Sequence, residues 1–349
     1  MMTSPTSNTR DPQKSAYVDA GVDLAFARQA KSKIRTAIES TETSLTLGAF
    51  GAFGGAIRIP SGFKEPALVA SIDGVGTKLH LAIDWGRPST AGHDLVTHCL
   101  NDIAVQNARP LAFLDYVAAD HMDTDVLVSL VEGMARACQV ANVSLVGGET
   151  ALMPDTYAPG RYDTVGVALG IAEAGQIPDP ASVTVGDICI GIPSNGLHTN
   201  GYSLARKLVE VVERTTTVIE EQTVEDALLA PHRSYVTEVL TALEMPGVRV
   251  AAHITGGGIA ENLARVLPDT VAASIDTELL PKLAILDSIA EELNVQNDEM
   301  FRVFNMGVGM ILVVEPGTVE ALCRELHDAL PIGQIIKRKD SPVELSGVS

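Results

Sequence analysis

Residues 111–146 read LAFLDYVAADHMDTDVLVSLVEGMARACQVANVSLV, and three segments separate within them. Leu111 to Ala118 is an apolar run of strand composition. Asp123 to Ala141 repeats apolar residues at helical spacing, behind an aspartate of the kind that caps helices. Ser144 to Val146 is a second short apolar run. A strand, a long helix and another strand make a layered α/β unit, the mixed α+β class. The alternation continues upstream, with a helix expected over Gly92–Asn107 and a strand over Ala67–Ile72 that stops at Asp73-Gly74. Before these lie a glycine-rich stretch, LGAFGAFGG from Leu47 to Gly55, and an amphipathic helix from Val22 to about Ile38 bearing Lys31, Lys33 and Arg35.

Downstream, a strand over Thr164–Glu173 precedes Gln176-Ile-Pro-Asp-Pro-Ala181, whose two prolines mark the best linker in the chain. The expected division is a disordered start at 1–16, an N-terminal domain at 17–174, a C-terminal α/β domain at 175–340 and a tail at 341–349. In the second half we expect strands at Ile188–Ile192 and Val308–Val314, a helix from Tyr202, and helices near Ala227–Leu243 and Ile259–Val266.

A chain of 349 residues, 46% of them hydrophobic, is long enough for two domains and needs no disulfide to fold. Its formal charge of −19 repels phosphate backbones and anionic lipid, which excludes nucleic acid and membranes as expected partners. No apolar run is long enough to span a bilayer, and Met1 to Ala16 has no apolar core of a signal peptide, so a cytoplasmic protein is expected. Cys99, Cys138, Cys189 and Cys323 are scattered, which suits small buried hydrophobes and argues against a zinc site.

Asp73-Gly-Val-Gly-Thr-Lys78 follows an expected strand. Gly74 and Gly76 let backbone approach a ligand, with Thr77 beside them; Asp73 suits a cation and Lys78 suits phosphate oxygens, although a plain glycine-rich turn with a solvated lysine has the same look. On the helix from Gly92, a 100° step puts Asp94, His98, Asn101 and Asp102 on one side with no Lys or Arg among them. Short carboxylates of this kind suit a hard cation, so Asp102 and Asp94 are metal candidates, and His98 is taken for a helix-surface histidine. Gly147-Gly148-Glu149-Thr150 would put another carboxylate at the carboxyl end of a strand, where open α/β sheets place ligands. Carboxylates gathered in one crevice ionise cheaply only if cations pair them, which points to a Mg²⁺ nucleotide; separate surface acids are the alternative. In the second half, Ser194-Asn-Gly-Leu-His-Thr-Asn-Gly-Tyr-Ser203 packs small polar groups, Asn200 among them, around His198, and Thr255-Gly256-Gly257-Gly258 offers free N–H groups to a phosphate.

Taken in order, these motifs resemble the phosphoribosylformylglycinamidine cyclo-ligase (AIR synthetase) family. The likeness rests on Tyr17-Val-Asp-Ala-Gly-Val-Asp23, Asp73 to Leu79, Asn101-Asp102, Phe113-Leu-Asp-Tyr116, Leu145 to Ala151 with Met153-Pro154, His198 to Leu204, Thr255 to Gly258, Glu299-Met-Phe-Arg302 and Phe304 to Met310. The resemblance implies a homodimer whose N-terminal domains join their sheets into a β-barrel spanning the two-fold axis, with ATP, Mg²⁺ and formylglycinamidine ribonucleotide held in a cleft. It implies that Asp73, Gly74, Gly76, Thr77, Lys78, Asn101, Asp102, Gly147, Gly148 and Glu149 bind the nucleotide, with Asp73, Asp94, Asp102 and Glu149 on the metal. Asn200 and Thr255 to Gly258 would hold substrate. Lys78 would stabilise the transferred phosphoryl group, and His198 would shuttle a proton as an iminophosphate closes to the imidazole. Where the family often has Lys-Ile-Lys, this chain has Lys33-Ile34-Arg35, so the phosphate contact is open between Lys33 and Arg35.

Selenophosphate synthetase, the hydrogenase-maturation dehydratase and thiamine-monophosphate kinase share the implied architecture. The first would want a cysteine in the N-terminal glycine-rich region, but none precedes Cys99, and the second would end in cysteine, where this chain ends Ser-Gly-Val-Ser349. The third is not expected to carry the His198 and Phe304 motifs together. A nucleotide sensor without turnover is the alternative of another class, and it predicts ATP binding with no ADP release.

Overall fold

The computed structural model describes residues 24–219 and 222–348. The first sixteen residues and the Tyr17-to-Asp23 motif lie outside them. The chain builds two sheets with helices, together with two small two-stranded ribbons. A helix over Leu24–Glu39 leads to β1 (Thr46–Leu47) and β2 (Ala56–Ile57), which pair as one ribbon around the glycine-rich stretch. Next come β3 (Pro66–Gly74), β4 (Arg109–Ala119), β5 (Ser144–Leu152) and β6 (Tyr162–Glu173), joined in the order β3-β6-β4-β5. Only β4 and β5 run parallel, because the Thr124–Val140 helix carries the chain back between them. Asp123 caps that helix, accepting from the Asp125 and Val126 backbone N–H groups.

The Pro88–Ala104 helix is the hub of the first half, and nearly every residue of it is buried. It crosses the Thr124–Val140 helix at two glycines: a Cβ on Gly92 would lie 2.0 Å from the Leu130 carbonyl oxygen, and one on Gly133 2.0 Å from that of Ser89. Backbone meets backbone there, so no side chain fits at either position.

The second half begins after the 174–182 turns with β7 (Ile188–Pro193), and adds β8 (Thr217–Ile219), β9 (Gln222–Thr223), β10 (Val248–His253), β11 (Val271–Ile275), β12 (Val308–Val314), β13 (Leu330–Lys337) and β14 (Val343–Leu345). Its main sheet has the order β10-β12-β7-β13-β11-β14, and β12, buried along its whole length, lies inside it. β8 and β9 form the other ribbon.

Two expectations change. The 227–243 helix is two helices, Val224–Leu228 and Val236–Glu244, because Pro231 cannot continue a helical ladder. β5 does not stop at Val146 but runs on through Gly147–Thr150, with an irregular register opposite Phe113 and Leu114. Among the described residues the first sheet is open, with β3 and β5 at its edges, and no closed barrel forms within this chain.

Candidate functional site

On the polar face of the Pro88–Ala104 helix, Asp94, His98 and Asn101 are buried where the helix meets the second half, and Asp102 stays partly exposed. Asn101 accepts from the Tyr235 backbone N–H at 2.8 Å and donates to the Arg233 carbonyl at 3.0 Å. Asp94 accepts from the His232 N–H at 2.8 Å. The 229–235 segment, freed from helix by Pro231, supplies all these partners.

Lys78 departs furthest from expectation. Its side chain is wholly buried, 2.5 Å from Asp94, which is equally buried. The ammonium also donates to the carbonyls of Ala230 (2.8 Å) and His198 (2.9 Å) and lies over the Tyr202 ring. Burial pulls its pKa below the lysine range, and Asp94 opposes the fall. All its donors are spent inside the protein, so Lys78 ties the two halves together and Asp94 has no face left for a metal.

His98 is not a surface histidine. It is 2% exposed and donates from Nε2 to Asp73 Oδ2 at 3.0 Å, while Thr199 Oγ1 donates to its Nδ1 at 3.0 Å. Burial works against its charge, but Asp73 and Asp102 outweigh this and raise its pKa. Asp73, at the end of β3, faces burial too, yet the His98 bond and charge hold it below the usual carboxylate range. Asp102 accepts from Ser71 at 3.0 Å and from His253 Nδ1 at 2.8 Å. Burial alone would raise its pKa, and the His253 bond and charge bring it down to about 2.

His198 sits at φ 58° and is 1% exposed, its ring stacked on His232 at 3.9 Å between centres. Burial, with the charges of His253 and Lys78 behind it, pushes its pKa well down, so the imidazole is neutral at pH 7. Next to it, Thr199 and Asn200 meet Gly76 and Thr77 around a cavity of about 280 Å³. A Cβ on Gly256 would lie 3.3 Å from the Asn200 amide oxygen, so the Thr255–Gly258 turn adjoins the same loop. Within that turn Thr255 Oγ1 donates to Asn262, whose amide donates to the Gly256 and Gly258 carbonyls.

Glu149 does not join this cluster. Gly74 pairs with Val165, Val165 with Tyr116 and Tyr116 with Glu149, so three strand spacings of about 4.8 Å put Glu149 about 14 Å from the end of β3. Oxygen ligands of one Mg²⁺ lie within about 4 Å of one another. The carboxylates therefore divide, with Asp73 and Asp102 beside the histidines and Glu149 in a second place. That place is a cavity of about 820 Å³ under the Gly48–Ala56 stretch, which Lys31, Asp115, Gly147, Gly148 and Glu149 help to line. A Cβ on Gly148 would lie 2.3 Å from Asp115 Oδ1, so only glycine admits that carboxyl. Burial pushes Asp115 up to about 7. Lys33 pairs with Asp125, and Arg35 pairs with Glu39 and stacks on Phe50, so neither points free into the cavity.

Sequence reading passed over His232, His253, Tyr235 and Asp115 as site residues. Pro231 was the available signal for the first, and the short apolar run Val250–Ala252 ending in His253 was the signal for the second.

Comparison with known proteins finds matches to both halves of the chain. Residues 55–172 match the family model "AIR synthase related protein, N-terminal domain", and residues 184–346 match its C-terminal counterpart. The chain is 43% identical over 327 residues to the phosphoribosylformylglycinamidine cyclo-ligase of Nitrosococcus oceani, covering 92% of this chain and 91% of the relative. It is 40% identical over 334 residues to the enzyme of the same name from Streptococcus pneumoniae, covering 95% and 98%. A solved structure of hydrogenase maturation protein HypE in complex with ATP shares the fold, with a TM-score of 0.67 at 16% identity over 92% of this chain and 91% of that one. With likeness of this extent across both halves, the chain belongs to the phosphoribosylformylglycinamidine cyclo-ligase family.

Proposed function

We propose that this chain carries out the reaction for which its family is named: ATP-dependent ring closure of formylglycinamidine ribonucleotide to 5-aminoimidazole ribonucleotide, releasing ADP and phosphate. The observation that carries the reading is the meeting of Asp73–Thr77, the Pro88–Ala104 helix and the His198–Asn200 loop, bonded to one another through His98 and Lys78 beside a cavity that Gly76, Thr77, Thr199 and Asn200 help to line. In the reading, the formamide oxygen takes the γ-phosphoryl group to form an iminophosphate, the ring nitrogen attacks its carbon, and phosphate leaves.

Asp73 and Asp102 fit a hard cation, because both are ionised carboxylates with side chains still 47% and 28% exposed. They would hold Mg²⁺, which when bound neutralises charge growing on phosphoryl oxygens. Asn200 and the Thr255–Gly258 turn would orient the ribonucleotide. His198, neutral and beside Tyr235 OH at 3.4 Å, is suited to accept a proton rather than to deliver one. Gly147, Gly148, Glu149 and Asp115 would serve nucleotide from the larger cavity, which has room for it. Lys78 and Asp94 act as positioning residues, fixing the His198 loop through its carbonyl. An ATP-bound neighbour of the same fold supports ATP as the phosphoryl donor.

The test is an assay of Mg-ATP with formylglycinamidine ribonucleotide, measuring ADP and aminoimidazole together. Equal amounts support the reading, and ATP binding with neither product would favour a sensor. Asp102→Asn is expected to raise the Mg²⁺ concentration for half-maximal rate by at least ~tenfold. An unchanged Mg²⁺ titration would remove Asp102 from the metal.

The reading includes a homodimer. Helices cover one face of the first sheet, while Leu68 and Ile72 on the other face are 71% and 68% exposed, next to the half-buried Val167 and Leu169. A contiguous apolar sheet face of this kind suits a second copy, sheet against sheet. Ile72→Asp is expected to shift the protein from dimer to monomer in sedimentation velocity, and a dimer of undiminished affinity would place the interface elsewhere. Among the described residues no helix is long and apolar enough to cross a membrane.

A further inference from the structure

We propose that His98, His232 and His253 form a divalent transition-metal site, of the kind that takes Zn²⁺ or Co²⁺, fastening the two halves of the chain together. His98 comes from the Pro88–Ala104 helix of the first half, His232 from the 229–235 segment and His253 from the end of β10. Their spacing in sequence gives no sign of a site, because each rides on a different element.

Hydrogen bonds settle which nitrogens are available. A carbonyl or an ionised carboxylate can only accept, so the ring nitrogen facing it must carry the proton. His232 Nδ1 faces the Arg233 carbonyl at 2.9 Å, His253 Nδ1 faces Asp102 at 2.8 Å, and His98 Nε2 faces Asp73 at 3.0 Å. In the neutral rings the other nitrogens, His98 Nδ1, His232 Nε2 and His253 Nε2, are therefore bare lone pairs. This is the outer-shell pattern that orients metal-binding histidines, with a carboxylate or carbonyl behind each ring.

Those lone pairs are short of protein donors. His98 Nδ1 and His232 Nε2 stand 3.4 Å apart, and among the described residues the one other group hydrogen-bonded to them is the Thr199 hydroxyl at His98. His253 Nε2 is buried with no hydrogen-bond partner, in a residue only 6% exposed. One nitrogen from each ring lies within 4.8 Å of one from each of the others.

The dimensions fit a tetrahedral ion. Metal–nitrogen bonds near 2.1 Å put neighbouring ligand nitrogens about 3.4 Å apart and ring centres about 5.2 Å apart. The His98–His232 nitrogens show the first spacing. The three ring-centre distances, 5.5, 5.1 and 5.4 Å, surround the second. The Thr199 hydroxyl or a water completes four-coordination. Imidazole nitrogen suits Zn²⁺ and Co²⁺ rather than Mg²⁺, so this site is distinct from the carboxylate pair Asp73–Asp102 behind it, and it does not rest on the cyclo-ligase reading.

The test uses full-length protein produced in medium supplied with Co²⁺ alone, then dialysed, with metal content and visible spectrum read in the absence of nucleotide. The expected result is about one Co²⁺ per chain with the intense bands of four-coordinate geometry, displaced by Zn²⁺ and not by Mg²⁺. His253→Ala should lose the bands while keeping its near-ultraviolet circular dichroism. Asp102→Asn, which leaves all three ring ligands in place, should weaken Co²⁺ binding by ~10–100-fold. Co²⁺ retained equally by His253→Ala, or absent from the native protein, would overturn the proposal; in the second case the His98–His232 gap holds a shared proton.

Discussion

Lys78→Met is expected to lower the free energy of unfolding by ~3–5 kcal/mol, because it strands the Asp94 carboxylate, as fully buried as its partner, without a counter-ion. The two carbonyls of His198 and Ala230 lose their donor in the same step. Urea unfolding followed by far-ultraviolet circular dichroism measures the effect. The double variant Lys78→Met, Asp94→Leu removes both charges and should recover most of the loss, since an apolar pair of similar volume is often no less stable than a buried ion pair. A lysine that instead reached a phosphate would give the opposite pattern, with lost turnover at unchanged stability. That pattern would return Lys78 to the cleft and leave the His198 loop without its anchor.

The elements of the first half were legible because each carries its own period. β4 and the helices over Pro88–Ala104 and Thr124–Val140 are long, strongly patterned and bounded by cap or turn residues, so local sequence specifies them. The motif around Asp73 and Asp102 was legible for a different reason, since short carboxylates without neighbouring cations are costly unless something pairs them. The histidines beside them were not legible. Sequence points to Mg²⁺, and the structure adds His98 against Asp73 and His253 against Asp102, partners supplied by tertiary contact. His98 on the Pro88–Ala104 helix, read as a surface histidine, is buried for the same reason. Period alone cannot tell a face turned to solvent from one buried against a second domain. Glu149 was misplaced because a glycine pair within a strand reads like a turn, while here Gly148 makes room for Asp115 inside β5.

Stability is expected to fall as pH rises from 4 toward 7 on account of Asp115, and Asp115→Asn should abolish that part of the fall. Burial raises this carboxyl from an unfolded value near 3.9 to about 7 in the folded chain. The sign follows from proton binding. Between the two values the folded state holds the proton and the unfolded state has lost it, so the stabilisation is complete below about pH 3.9 and is lost as pH rises through about 7. A shift of this size corresponds to ~4 kcal/mol; Asp115 faces a cavity open to water, which trims the expectation to ~3 kcal/mol. About two thirds of that, ~2 kcal/mol, falls between pH 5 and pH 8. Asn keeps the shape and lacks the charge, so the variant should gain on the native protein by that amount as pH goes from 5 to 8, in paired urea titrations. Lys31 lines the same cavity. If its ammonium settles on the carboxylate in solution, the two proteins will run parallel across the whole range, and Asp115 is then an ordinary ionised acid rather than one poised near neutral pH.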